Sequence, residues 1–172
     1  MKFGLVGLLL LVLIPGLSSC SRQVKAREPV VYRFEHGKTA LFRDGYAYAP
    51  RRAPRAVKKA IEAGNRLQHL PYKWGGGHAV LNDTGYDCSG AVSYVLREAG
   101  LLKGQMPSKG FLTYGKRGEG DWITIYVRHG HVFMTIAGLR LDTGWGDGRK
   151  GPRWNPGSRP GKGHVMRHPP GL

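Results

Sequence analysis

Cysteine is nearly missing from this chain: 172 residues carry only Cys20 and Cys88. Two thiols are too few for a thiolate zinc site or for a framework of disulfides. A single Cys20–Cys88 disulfide is the rival reading, but the two contexts are unrelated and point to two different jobs. Acidic residues are also scarce, 11 against 27 Lys and Arg, giving a formal charge of +16 spread along the chain. That balance favours polyanionic surroundings, whether nucleic acid, anionic lipid or an acidic polymer. No nucleic-acid motif accompanies it, so no nucleic-acid partner is expected. The apolar run from Leu5 to Ile14 has ten residues, too short to span a bilayer as a helix. There is no internal repeat, and the length suits one domain with a substantial core.

What is present is concentrated in residues 86–100, Tyr-Asp-Cys-Ser-Gly-Ala-Val-Ser-Tyr-Val-Leu-Arg-Glu-Ala-Gly. Ala91, Val92, Val95, Leu96 and Ala99 form one buried helical face, with Asp87 placed to cap its start and Gly100 to stop it. Cys88 then falls in the first turn, where unpaired N–H groups and the positive dipole end favour a thiolate. Upstream, Trp74-Gly75-Gly76-Gly77-His78 is a glycine run that lets backbone pass close to something. We read Cys88 as a nucleophile; a buried small hydrophobe is the bland alternative.

The remaining elements are coarser. Pro54 and the spacing of Val57, Ala60, Ile61, Gly64 and Leu67 predict a packing helix at about 54–69. Val30 to Phe34 reads as a short strand, and 101–120 as a loop. Strands are expected at 122–127, 131–137 and 139–143, with a tight turn at Gly138 and a last short strand near 164–167. Trp122 reads as core, whereas Trp74 and Trp145 are candidates for the edge of a groove.

A thiolate nucleophile needs a base, and that base needs an orienting group. His131 is the leading candidate among seven histidines, because it opens an apolar strand directly after Gly130; His129 is its rival. For the orienting group, Asp142 has the better chemistry and Thr143 the better strand parity with His131. A shortened turn or a bulge would be needed to bring Asp142 into place.

Two resemblances follow from these residues. Leu17-Ser18-Ser19-Cys20, after Lys2 and the apolar run, resembles the bacterial lipoprotein signal. It implies a signal peptide at 1–19, acylation of Cys20, and a membrane partner reached through a lipid anchor. The protein would then sit in the bacterial cell envelope, facing the periplasm or cell wall. An ordinary secretory signal is the rival, and Ser21 resembles the outer-membrane class.

Pro71-Tyr72 with Gly75-Gly76, then Asp87-Cys88-Ser89-Gly90, then Gly130-His131-Val132 resemble, in order and spacing, the NlpC-type cell-wall cysteine peptidases. The resemblance covers roughly 54–145. It implies an α+β, papain-like fold in which a Cys-bearing helix packs on an antiparallel β-sheet carrying the His. The tether and N-terminal arm would be residues 20–53 and the catalytic domain residues 54–172.

The implied activity is hydrolysis of peptidoglycan stem peptides at a γ-D-glutamyl linkage through a thioester, by a monomer without cofactor or metal. Cys88 would be the nucleophile and His131 the general base. The family has His, Asn or Gln about twelve residues after the base, a count that falls on Thr143 with Asp142 beside it; Asp142 is preferred for its charge. Tyr72 would line the pocket, and Asp87 and Ser89 would bind substrate. Rival readings are a non-catalytic lipoprotein that binds stem peptides, and a thiol acyltransferase or amidase on the same scaffold.

Overall fold

The computed structural model describes residues 23–144 and 150–172. The signal peptide at 1–19, the lipidation site Cys20 and Trp145 lie outside the described residues. In chain order, the hairpin β1 (Leu41–Arg43) and β2 (Tyr46–Tyr48) precedes the helices α1 (Arg55–Arg66) and α2 (Cys88–Glu98). A 3-10 helix (Ser108–Thr113) then leads to β3 (Lys116–Arg117), β4 (Ile123–Arg128), β5 (His131–Ile136) and β6 (Leu139–Asp142). The chain ends with β7 (Arg153–Asn155) and β8 (Val165–His168).

Strands β3 to β8 form one sheet in the order β3-β8-β4-β5-β6-β7, antiparallel at every pairing. The helices pack on it, so the class is α+β, with α2 lying against β5. Val92, Val95 and Leu96 of α2 are buried with Val132, Met134 and Ile136 of β5 and with Val57 and Ile61 of α1. Phe133 instead joins Tyr126, Met166 and Ala26 in a smaller cluster. β5 therefore buries both of its parities, which is why its sequence reads as a continuous apolar run.

Helix α2 begins and ends as its sequence predicts. Asp87 has extended backbone, and its carboxylate accepts the Gly90 N–H at 2.7 Å. At the other end the Leu101 N–H reaches the Leu96 carbonyl and the Gly100 N–H reaches Arg97, with Gly100 at φ +74°. That double closure is the Schellman stop, and it requires a residue that tolerates the left-handed region. Helix α1 stops at Arg66, short of the expected 69. The Gln68 amide donates to the Gly64 carbonyl at 2.8 Å and accepts the Trp154 N–H, which turns the chain out of the helix.

Two expectations about the arm and the following loop are corrected. Val30 to Phe34 is not a strand; Val30 makes one isolated bridge to Arg159, because neighbouring residues find no continuous edge to pair with. Residues 101–120, expected as loop, contain the 3-10 helix and β3. Part of the N-terminal arm packs on the domain. Ala40, Ala47 and Ala53 belong to the main core, and Asn65 of α1 both donates to and accepts from the Ala47 backbone. Among the described residues no helix is long and apolar enough to cross a membrane.

Candidate active site

Cys88 occupies the first position of α2 and is 9% exposed; it is a free thiol. The helix start is clamped by the glycine run. The Gly75 N–H donates to the second Asp87 carboxylate oxygen at 3.1 Å, and the Asp87 N–H donates to the Gly76 carbonyl. Gly76 and Gly90 face each other so closely that a Cβ on Gly90 would collide with the Gly76 carbonyl oxygen. Gly77, at φ +81°, lies against the Tyr86 ring. These glycines are what lets a loop cross over the first turn of a helix.

His131 is the first residue of β5, paired with Arg128 across a two-residue turn at His129-Gly130. His129 sits in that turn, exposed. The His131 Nε2 is 2.9 Å from Asp142 Oδ1, and the Cys88 thiol lies close enough to interact with the ring. With Nε2 engaged by the carboxylate, Nδ1 is the nitrogen left for the sulfur. Burial pulls the imidazole down, but Asp142 and then Cys88 outweigh that and raise it to about 9. The imidazolium is therefore the favoured form at neutral pH.

The structure brings Asp142, not Thr143, to His131, and it needs no bulge. Ala137 (φ +45°) and Gly138 (φ +77°) form a two-residue turn, so Ile136 pairs with Leu139 and Thr135 with Arg140. In that register odd positions of β5 share a face with even positions of β6. Counting parity along the sequence from His131 favoured Thr143 because it ignored this offset.

Behind the pair, Asp142 is held from every side. Its Oδ2 meets Arg140 Nη1 at 2.8 Å and Arg159 Nη1 at 3.0 Å, and its Oδ1 accepts the Thr143 N–H at 2.8 Å. Both arginine side chains are no more than 5% exposed. Burial lowers each guanidinium, and the charge of Asp142 offsets part of that effect. The Arg159 guanidinium also lies over the Phe133 ring, 4.7 Å from its centroid. Neither arginine was singled out in the sequence. Arg140 carried a signal, a charge two residues before Asp142 in an otherwise apolar strand; Arg159 lay in an aperiodic tail and carried none.

Tyr72 lies half-buried beside the nucleophile, bridged in parallel to Tyr86. Its phenol is pushed up by burial first, then by the neighbouring charges of Cys88 and Asp87, so it remains a donor. Asp87 and Ser89 flank Cys88, with the Ser89 hydroxyl donating to Asp87 Oδ1 at 3.0 Å. His78 joins them, its Nε2 lying 3.2 Å from Asp87 Oδ1 and 3.1 Å from Ser89 Oγ. Its place could have been inferred only from the glycine run that precedes it. Among the described residues no group of three or more His, Cys, Asp or Glu is arranged to hold a metal ion.

These side chains can supply a sulfur nucleophile, a base that carries its proton, a carboxylate that fixes the base, and a phenol donor beside them. No protein-family model matches the chain, and no curated protein matches it by sequence.

Proposed function

We propose that this protein is a papain-like cysteine endopeptidase of the bacterial cell envelope, anchored through Cys20, that hydrolyses peptidoglycan stem peptides. The linkage cut is a γ-D-glutamyl amide. The observation that carries the reading is the placement of Cys88 beside a His131 whose Nε2 is fixed by Asp142.

The Cys88 sulfur attacks the amide carbon, and the electron pair of the C=O moves to oxygen. The developing oxyanion is met by the Cys88 backbone N–H at the helix start and by the Tyr72 hydroxyl. His131, holding the proton of the thiol, delivers it to the leaving amine as the C–N bond breaks. A thioester remains on Cys88. Water, deprotonated by His131, then attacks that thioester and releases the acid and the thiol. Asp142 stabilises the imidazolium and keeps its Nδ1 aimed at sulfur. No cofactor is required by this sequence of steps, and the basic surface concentrates the enzyme on anionic wall polymers or lipids.

Digestion of purified sacculi followed by mass spectrometry of the soluble fragments tests the reading. Wild type releases fragments ending at the γ-D-glutamyl position, and Cys88→Ala, folded by circular dichroism, releases none. Equal release by both proteins, or release by neither, overturns it.

A further inference from the structure

We propose that His78 closes the acidic subsite beside the nucleophile to ammonium groups. The protein would then act on stem peptides whose amino end is already acylated, as in strands where it is still joined to sugar. This rests on the peptidase reading above and names the substrate form within it.

A carboxylate and a hydroxyl flanking a nucleophile would ordinarily suit a cationic amine. Here most of that capacity is taken. Asp87 Oδ1 meets the Gly90 N–H at 2.7 Å, the Ser89 hydroxyl at 3.0 Å and the His78 ring at 3.2 Å, while Oδ2 accepts the Gly75 N–H at 3.1 Å. Oδ1 thus meets three donors, more than its two lone pairs can serve, and only Oδ2 keeps one acceptor site. The Ser89 oxygen is likewise engaged by His78 at 3.1 Å. An ammonium carries three N–H donors and would find one remaining site on Oδ2 and one on Ser89 Oγ, so it must displace His78 to be satisfied.

His78 is also held where it is. It follows directly on the clamped glycines, and Gly77 donates to Asp83 Oδ2 at 3.2 Å. Lys73 closes the same loop with a 2.7 Å contact to Asp83 Oδ1, holding that carboxyl down at about 2. The His78 side chain is 25% exposed against 12% for Asp87, and its ring lies against both Asp87 and Ser89. To be satisfied there, an ammonium must break both His78 contacts. An acylated nitrogen, being neutral, makes no such demand.

The test uses two synthetic peptides, L-alanyl-γ-D-glutamyl-diaminopimelate with a free amino end and the same peptide N-acetylated. Wild type is expected to favour the acetylated form by roughly 10–100-fold in kcat/KM, the range that one hydrogen bond to a charged group supports. His78→Ala lowers KM for the free-amine peptide and removes most of that preference, whereas His78→Gln, which keeps an N–H donor, retains part of it. Titration of both peptides into Cys88→Ala by calorimetry reads the same preference without catalysis. Cleavage without discrimination, or a ratio unmoved in both His78 variants, overturns the closed subsite and leaves the peptidase reading standing. Discrimination in binding with no cleavage by wild type does the reverse. Neither binding nor cleavage ends both.

Discussion

Asp142→Asn keeps the shape of the side chain and removes its charge, and the structure says what that charge holds. His131 rises from its ordinary 6.5 to about 9, which at about 1.4 kcal/mol per tenfold is roughly 3 kcal/mol of preference for imidazolium. Burial opposes that rise, so Asp142 and Cys88 together supply more than the net figure. With an uncharged amide in place of Asp142, burial should return the ring to about its ordinary value or below. At pH 7.5 the imidazolium then falls to about a tenth or less, and kcat/KM should drop by about 10²–10⁴-fold.

The alkaline limb of the rate profile should move from near 9 to below about 7. Because the pKa is raised by folding, the stability that His131 contributes is complete below 6.5 and is lost as pH rises through about 9. The variant lacks it throughout, so the gap in melting temperature attributable to His131 should be widest near pH 6 and narrow by pH 9. A second loss does not vary over this range. Arg140 and Arg159, both buried, lose a counter-charge, which costs about 3–5 kcal/mol, or roughly 6–20 °C for a domain of this size. The assays are the pH dependence of stem-peptide cleavage and calorimetric melting. An alkaline limb still near 9, with a rate within about threefold of wild type, would refute the assignment of Asp142.

Three further outcomes are expected. Tyr72→Phe should lower kcat by about 10–10³-fold with little change in KM if the phenol meets the oxyanion, read by steady-state kinetics; a change confined to KM would place Tyr72 in binding instead. Gly90→Ala should lower stability by several kcal/mol, on the order of other severe steric insertions, because its methyl collides with the Gly76 carbonyl at the helix start. Denaturant melts check this, and a loss below about 1 kcal/mol would contradict the close packing. Leu96→Ala, at a fully buried position of α2, should cost about 2–5 kcal/mol in the same melts while leaving thiol alkylation of the folded protein unchanged.

The elements with a strong periodic pattern were readable directly. The apolar stripe of α2, its Asp87 cap and its Gly100 stop are local, and each appears where the residues put it. Cys88 and His131 were readable for the same reason, since each stands at the first position of its element. The orienting group was not decided, because the choice between Asp142 and Thr143 depends on a pairing offset that only the turn at Ala137-Gly138 sets. Arg159 and His78 were out of reach for a different reason. One lies in an aperiodic segment and the other behind a glycine run, and both arrive at the site through long-range packing rather than local pattern. The packing of the arm was not legible because Ala40, Ala47 and Ala53 are small, and small residues give little hydrophobic signal even where they are fully enclosed.

The central claim is that one sulfur and one imidazole form a working pair. NMR titration of the His131 ring in wild type and in Cys88→Ser tests it without any assumption about substrate. The account predicts a ring that keeps both protons until about pH 9 in wild type and gives one up at lower pH once the sulfur is gone. A ring that titrates near 6.5 in both proteins would contradict it.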